Sequence, residues 1–456
     1  MITKREFEEY CSKNNLRYKF EHKYFQEVSL KLNWNNHNLF IVLCCYEYIE
    51  TIKWLLTKGE INIHAKNEEA FRICCRGHIE VAKWLIENSK KNGEIINIHT
   101  NNEEAFRLSC GDGNIEVAKW LIKISKENGE IINIHANNED AFRLSCWYGH
   151  SKMAKWLIEI SKENGEMINI HANFEEAFRM SCKNKYIEIA KWLIETSKEN
   201  GKMINIHAND EEAFIISCWN CYIEIANWLI EISKEDGEII NIHANDEEAF
   251  RNSCMKGNTE VAKWLMEISK GNGEMINIHV KNEEAFGYSC WNGHKELAKW
   301  LIKISKENRE MINIHAENEE VFRYSCINGY LEIAKWLIEI SKENRDMINI
   351  HAKNEEAFIH SCFNGKIEIV KWLMEISKGN GEIINIHEKN EEAFIMSCKY
   401  GHIEVVKWLC SLCDKYYVEI EDNKIVKYTI KNMYDEYLDE NKGIKDIIKK
   451  LRLKII

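Results

Sequence analysis

Histidine and cysteine recur through this chain at fixed intervals, and both residue types could do chemistry. Histidine closes an Ile-Asn-Ile-His string at His64 and then every 36 residues from His99 to His387. Cysteine stands at Cys44, Cys75 and every 36 residues from Cys110 to Cys398. By type these are metal ligands and nucleophiles. Adjacent glutamates such as Glu103 and Glu104 recur as well, and paired carboxylates are a general acid–base signature. The spacing argues against all three. Equivalent positions on packed helices lie about 8–10 Å apart, whereas zinc bonds span roughly 2.0–2.3 Å and a disulfide needs Cα atoms within about 7 Å. The cysteines then read as small packing residues and the histidines as partners of backbone in the neighbouring turn. The glutamates read as first-turn acids that favour a helix N-terminus. Cys410 and Cys413 form a Cys-x-x-Cys at a helix end, as Cys218 and Cys221 do within the repeats, and neither has a second ligand pair beside it. No catalytic residue, cofactor or metal is expected.

The elements that carry these residues follow from a third series. Tryptophan stands at Trp54 and then every 36 residues from Trp84 to Trp408, which makes eleven repeats when the irregular first copy is counted. In the third copy Asn102 reads as a helix cap, followed by an apolar face of Ala105, Phe106, Ser109 and Cys110. Gly111 and Gly113 break that helix. A longer helix from Ile115 to about Asn128 carries a stripe of Ile115, Ala118, Leu121, Ile122 and Ile124 or Ser125, with Lys119, Lys123 and Lys126 toward water. Gly129 stops it, and Ile131 to Ala136 reads as extended. Neither helix buries its face alone, so units must stack into a solenoid. Tryptophan, beside Leu and Ile, is expected to fill space between helix layers.

Composition narrows the function. A net charge of −12 opposes general nucleic-acid binding, which rests on cations neutralising phosphates. No apolar run reaches the ~18 residues that cross a membrane, and no signal peptide is read at the start. Of seventeen cysteines eleven stand in the repeat series, a spacing that indicates free thiols in a reducing compartment. Proline is absent, which excludes proline-rich linkers.

Several strings resemble the ankyrin-repeat family. Gly77 to Ile86 is similar to the opening of its second helix, Glu104 to Cys110 stands where the family has Thr-Pro-Leu-His-Leu-Ala-Ala, and Asn133 to Ala136 resembles Asp-Val-Asn-Ala. Arg107, Arg143, Arg179, Arg251 and Arg323 replace the family's histidine. The stretch from His99 to Glu104 is about three residues shorter than the family's and that from Trp120 to His135 about six longer. The resemblance therefore implies a tight turn in place of the β-hairpin finger, and a longer second helix. The Asn- and Ile-rich composition is similar to ankyrin-repeat proteins of giant DNA viruses of amoebae, mimivirus-like.

The expected architecture is all-α: an N-terminal helical cap over 1–37, an ankyrin-type helix-turn-helix solenoid over 38–412, and a hairpin plus basic helical tail over 413–456. In the family, side chains at first-helix ends carry partner contacts. Here those positions hold Trp147, Tyr148, Trp219, Trp291 and Phe363, aromatic every 72 residues, which is also what duplication of a two-repeat unit would leave. Ile215, Gly287, Tyr288, Tyr324 and His360 vary beside them. The resemblance implies a non-enzymatic scaffold binding partner proteins, host proteins if the source is viral, along a concave face. The expected molecule is a monomer without nucleic acid or membrane span, in an intracellular reducing compartment (the host cytoplasm if the source is viral), with the basic tail as a nuclear-targeting candidate. The alternatives are a ubiquitin-ligase substrate adaptor acting through its C-terminal segment, and an RNA-binding helical repeat protein.

Overall fold

A computed structural model describes residues 4–13, 36–58 and 61–431. The basic tail from Lys442 lies outside them. The chain forms a repeating, all-α solenoid, and the only paired strands among the described residues are one hairpin near the C-terminus. It divides into two compact units, Met1–Ser217 with Glu224–Ile240, and Cys218–Ile223 with Asn241–Ile456.

Each repeat is a first helix, a second helix and an extended connector. In Ala136–Trp147 the buried face is Ala141, Phe142, Ser145 and Cys146. The corresponding face in the third copy is the expected one, Ala105, Phe106, Ser109 and Cys110. The second helix of that copy, Ile115–Glu127, turns slightly from the expected stripe and buries Val117, Ala118, Leu121 and Ser125. Its three lysines face water as expected. Gly111 does not break the first helix. It is buried inside it, because a Cβ there would come within 3.3 Å of Leu144 on the following repeat.

Second helices from Ile79–Lys91 to Ile367–Asn380 end on a left-handed residue, which is glycine in all but two copies (Arg309 and Arg345), glycine being the residue that adopts it without strain. At Gly165, φ is +78°, and the next amide, Glu166 N, closes back on Ser161 O. The connector then alternates, with Ile131 exposed and Ile132 and Ile134 buried.

The core belongs to the phenylalanines. Those of the repeating Ala-Phe face, from Phe40 to Phe394, are each fully buried, and the cysteine series and the second-helix leucines are buried with them. The tryptophans differ from expectation: each of those from Trp84 to Trp408 is only half-buried. In several repeats the ring meets the phenylalanine of the preceding repeat, as in Phe142–Trp192 at 6.4 Å and Phe322–Trp372 at 6.3 Å between centroids. Tryptophan therefore bridges neighbouring repeats from the rim of the core, where its larger ring keeps one edge in water.

The hairpin pairs β1 (Tyr416–Glu421) with β2 (Lys424–Ile430) through Asp422 and Asn423, whose φ angles of +47° and +57° suit a two-residue hairpin turn. Tyr416 stacks on Phe394 at 4.1 Å, so the strand covers the exposed end of the last repeat's core.

Candidate interaction surface and its supporting turns

The first helix of each repeat is entered through a turn that the sequence does not announce. Asn101, Asn102 and Glu103 all take left-handed backbone angles, with φ of +54°, +56° and +60°. The same three-residue turn recurs from Lys66–Asn67–Glu68 to Lys389–Asn390–Glu391. Asparagine or aspartate holds the middle place in all but one copy (Phe174), in keeping with their tolerance of this conformation. Asn102 is thus inside the turn and does not cap a right-handed helix.

The third residue of the turn is a buried glutamate, and its carboxylate organises the connection. Glu139 lies 2.9 Å from His135 Nδ1 and accepts the amide of Asn169, on the connector that leads to the next repeat, at 3.1 Å. Asn133 Oδ1 in turn accepts the His135 amide at 3.0 Å. The histidines therefore pair with a carboxylate of their own turn, not with neighbouring backbone. The buried glutamate is no dipole partner either, because it is consumed in tying one repeat to the next. In the last repeat no further connector follows, and the Tyr416 hydroxyl donates to Glu391 instead. Burial, with help from that glutamate, pushes the Tyr416 hydroxyl well up, which keeps it a donor.

A second layer is the arginine that stands where the family has histidine. In Arg251, Nε donates to Asp246 O at 2.7 Å, Nη2 to Asn245 O at 3.0 Å, and Nη1 to the Glu284 carboxylate of the next repeat. Arg72, Arg107, Arg143, Arg179 and Arg323 repeat this pattern. Each guanidinium caps two turn carbonyls and clasps the following unit.

These turns and first helices hold the expected binding residues. Tyr148 is 52% exposed and Tyr324 37%, while Trp147, Trp219, Trp291 and Phe363 are half-buried. Trp147 and Tyr148 are neighbours at 6.3 Å, and Trp291 and Tyr324 meet at 5.2 Å. Phe363 packs instead on Tyr400 at 4.5 Å. Two lysines of the following repeats lie over these rings, Lys183 Nζ at 5.6 Å from the Trp147 ring and Lys256 Nζ at 4.9 Å from Trp219. Each is a cation–π contact between neighbouring first helices, whereas Lys399 lies over the adjacent Tyr400 ring at 5.7 Å.

Sequence reasoning missed a second exposed series. Ile95, Ile131, Met167, Met203, Ile239, Met275, Met311, Met347 and Ile383 stand at equal intervals on the connectors and are 40–79% exposed. The signal was available in the Ile-Ile-Asn-Ile string, because an alternating segment can bury only one of its faces. In the first unit, Ile131 with Ile122, Ile160 and Trp156 lines a groove of about 720 Å³ on the second-helix side.

The cysteine ladder is buried, and burial pushes its thiols well up, which suits packing and not catalysis. Among the described residues no group of three or more His, Cys, Asp or Glu could hold a metal. No helix among them is long and apolar enough to cross a membrane.

Comparison with known proteins gives a partial picture. A family model of the RNA recognition motif matches residues 29–78, yet residues 36–78, where described, form helices and turns with no strand. No curated protein matches. Among solved structures, the pentatricopeptide repeat protein PPR10 from maize is similar at 11% identity and a TM-score of 0.38, over 86% of this chain. The chain spans 60% of that protein's length. A family model of ankyrin repeats, in three copies, matches residues 74–172 and again 322–423, so ankyrin repeats are present in both compact units.

Proposed function

We propose that the whole chain is a non-enzymatic scaffold that binds partner proteins through the first-helix ends of its ankyrin-type repeats. The observation that carries the reading is where the repeats differ. The Ile/Met series on the connectors is nearly the same in every copy, so it cannot tell one partner from another. The first-helix ends vary, and there Trp147, Tyr148, Trp219, Trp291 and Phe363, with Tyr324 one turn before such an end, present half-buried or exposed aromatic rings. Aromatic side chains with part of their surface already ordered are what interface hot spots use. Stacking also fixes these rings before a partner arrives, which lowers the entropy lost on binding. The resemblance to giant-virus ankyrin proteins makes host-cell proteins the first partners to test.

The test is crosslinked capture from a host-cell extract by two triple variants of the full chain. Trp147→Ala, Trp219→Ala and Trp291→Ala together are expected to abolish capture, at about 2 kcal/mol or more for each anchor. Ile131→Ser, Ile239→Ser and Ile383→Ser together are expected to retain it. A tryptophan variant that is folded by circular dichroism and keeps every partner sinks the reading.

A further inference from the structure

One first helix lacks the arginine but keeps everything the arginine binds. At Gly287 the side chain is absent, while the left-handed turn before it is intact, with φ of +51°, +56° and +67° at Lys281, Asn282 and Glu283. The carbonyls of Lys281 and Asn282 correspond to those that Arg251 and Arg323 cap in their own repeats. Here they lose that donor. The carboxylate corresponding to Glu284 and Glu356 is Glu320, which is half-buried and has no hydrogen-bond or ion-pair partner among the described residues.

The place is empty as well as unpartnered. A cavity of about 350 Å³ opens there, lined by Lys281, Asn282, Gly287, Trp291, Glu317 and Glu320. Elsewhere a missing arginine is replaced by bulk: Ile215 and Ile359 occupy the same position and are buried. Glycine is used here because Trp291 leans across it. A Cβ at 287 would come within 3.1 Å of Trp291 Cζ2. Tyr288 and Tyr324 hold that indole from two sides, at 5.4 and 5.2 Å, and its ring nitrogen is buried with no acceptor. The other acids of the cavity are committed. Glu284 takes Arg251 and the Tyr288 hydroxyl, and Glu317 takes the Asn282 amide at 2.7 Å. Lys281 Nζ is 3.7 Å from Asp246.

We propose that this cavity is a guanidinium-binding slot and receives an arginine side chain from a partner protein. The incoming fork donates to the carbonyls of Lys281 and Asn282 and pairs with Glu320, as the chain's own arginines do in six other repeats. Three acceptors in a fork suit a planar guanidinium better than a lysine ammonium, which offers a single point charge. The Trp291 ring supplies a face for the cation. The buried indole N–H needs an acceptor, which the carbonyl of a peptide-borne arginine can provide and a free guanidinium cannot. The source of the arginine rests on the scaffold reading above, but the slot does not.

The experiment titrates the full chain with an acetylated Gly-Arg-Gly amide, its lysine counterpart and ethylguanidinium. The indole N–H resonance of Trp291, assigned with Trp291→Phe, is followed by NMR. The arginine peptide is expected to shift that resonance and to bind at least about tenfold more tightly than the lysine peptide. Gly287→Arg, which fills the slot from within, is expected to abolish binding. Glu320→Gln, whose fold should be untouched, is expected to weaken it about tenfold. Equal binding of the two peptides, or an unchanged affinity in Glu320→Gln, overturns the proposal. Binding of ethylguanidinium without the peptide overturns the partner arginine and leaves a small-molecule site. Partner capture does not enter this result, so the slot and the scaffold reading fail separately.

Discussion

The turn at Glu317–Asn318–Glu319 and the turn at Lys281–Asn282–Glu283 have the same backbone and different support. Their φ angles are +53°, +57°, +63° and +51°, +56°, +67°. In both, the last glutamate meets its histidine within 3.0 Å and accepts the amide of the next connector at 3.1 Å. Only the first has an arginine: Arg323 is 1% exposed, where the second has Gly287 and a cavity. Left-handed residues cost about 1–2 kcal/mol each in L-amino acids, so something must hold three in a row. Since the turn survives without arginine, the glutamate network holds it. Arginine is an added clasp, and a position free to lose its clasp can become a site.

The largest test of that comparison removes the glutamate from each turn. Glu319→Ala and Glu283→Ala are expected to destabilise by about 3 kcal/mol alike, because each leaves a histidine and a buried amide without their charged acceptor. Urea unfolding of the two variants measures it. If Glu283→Ala costs far more than Glu319→Ala, arginine shares in building the turn and the comparison breaks.

Removing the clasp should cost less. Arg323→Met takes a donor from the carbonyls of Glu317 and Asn318 and a partner from Glu356. Glu356 keeps 16% of its side chain exposed, so water can take over part of the lost bonding. The expected loss is about 2 kcal/mol, in the range for hydrogen bonds to charged groups. A loss larger than that of Glu319→Ala would reverse the ranking of the two layers.

How much of this was legible follows from which contacts are local. The period, the helix pairs and the Ala-Phe-Ser-Cys face could be read directly, because helical spacing fixes them within one repeat. The turn could not. Adjacent glutamates at a helix start read as dipole partners, and nothing in the string says that Glu103 will be buried against the amide of Asn133, thirty residues on. Tryptophan read as core because it stands beside Leu and Ile, but the smaller phenylalanine takes the interior and leaves it the rim. Gly287 was visible as a variable residue. That its acceptors persist around an empty place depends on Glu320 in the following repeat, and only packing brings the two together.

The smallest effect is also the most local, and it concerns the thiols on either side of the same comparison. Cys290 follows Gly287 by three residues and Cys326 follows Arg323 by three. Both are fully buried, and burial pushes both thiols well above their ordinary range. Because the thiolate is the nucleophile, neither should react with iodoacetamide at pH 8 until its repeat opens, so the labelling rate reports local stability. Exposed Cys221 should react first and serves as the reference. Cys410, half-buried and pushed up to about 11, should label faster as pH rises toward that value, without any opening. In urea below the unfolding transition, Cys290 is expected to label about fivefold faster than Cys326, the ratio that ~1 kcal/mol of missing local stability gives. Mass spectrometry of tryptic peptides reads the two rates from one sample. Filling the slot with the arginine peptide should bring Cys290 down to the rate of Cys326. Equal rates before the peptide is added would mean that the cavity costs its repeat nothing.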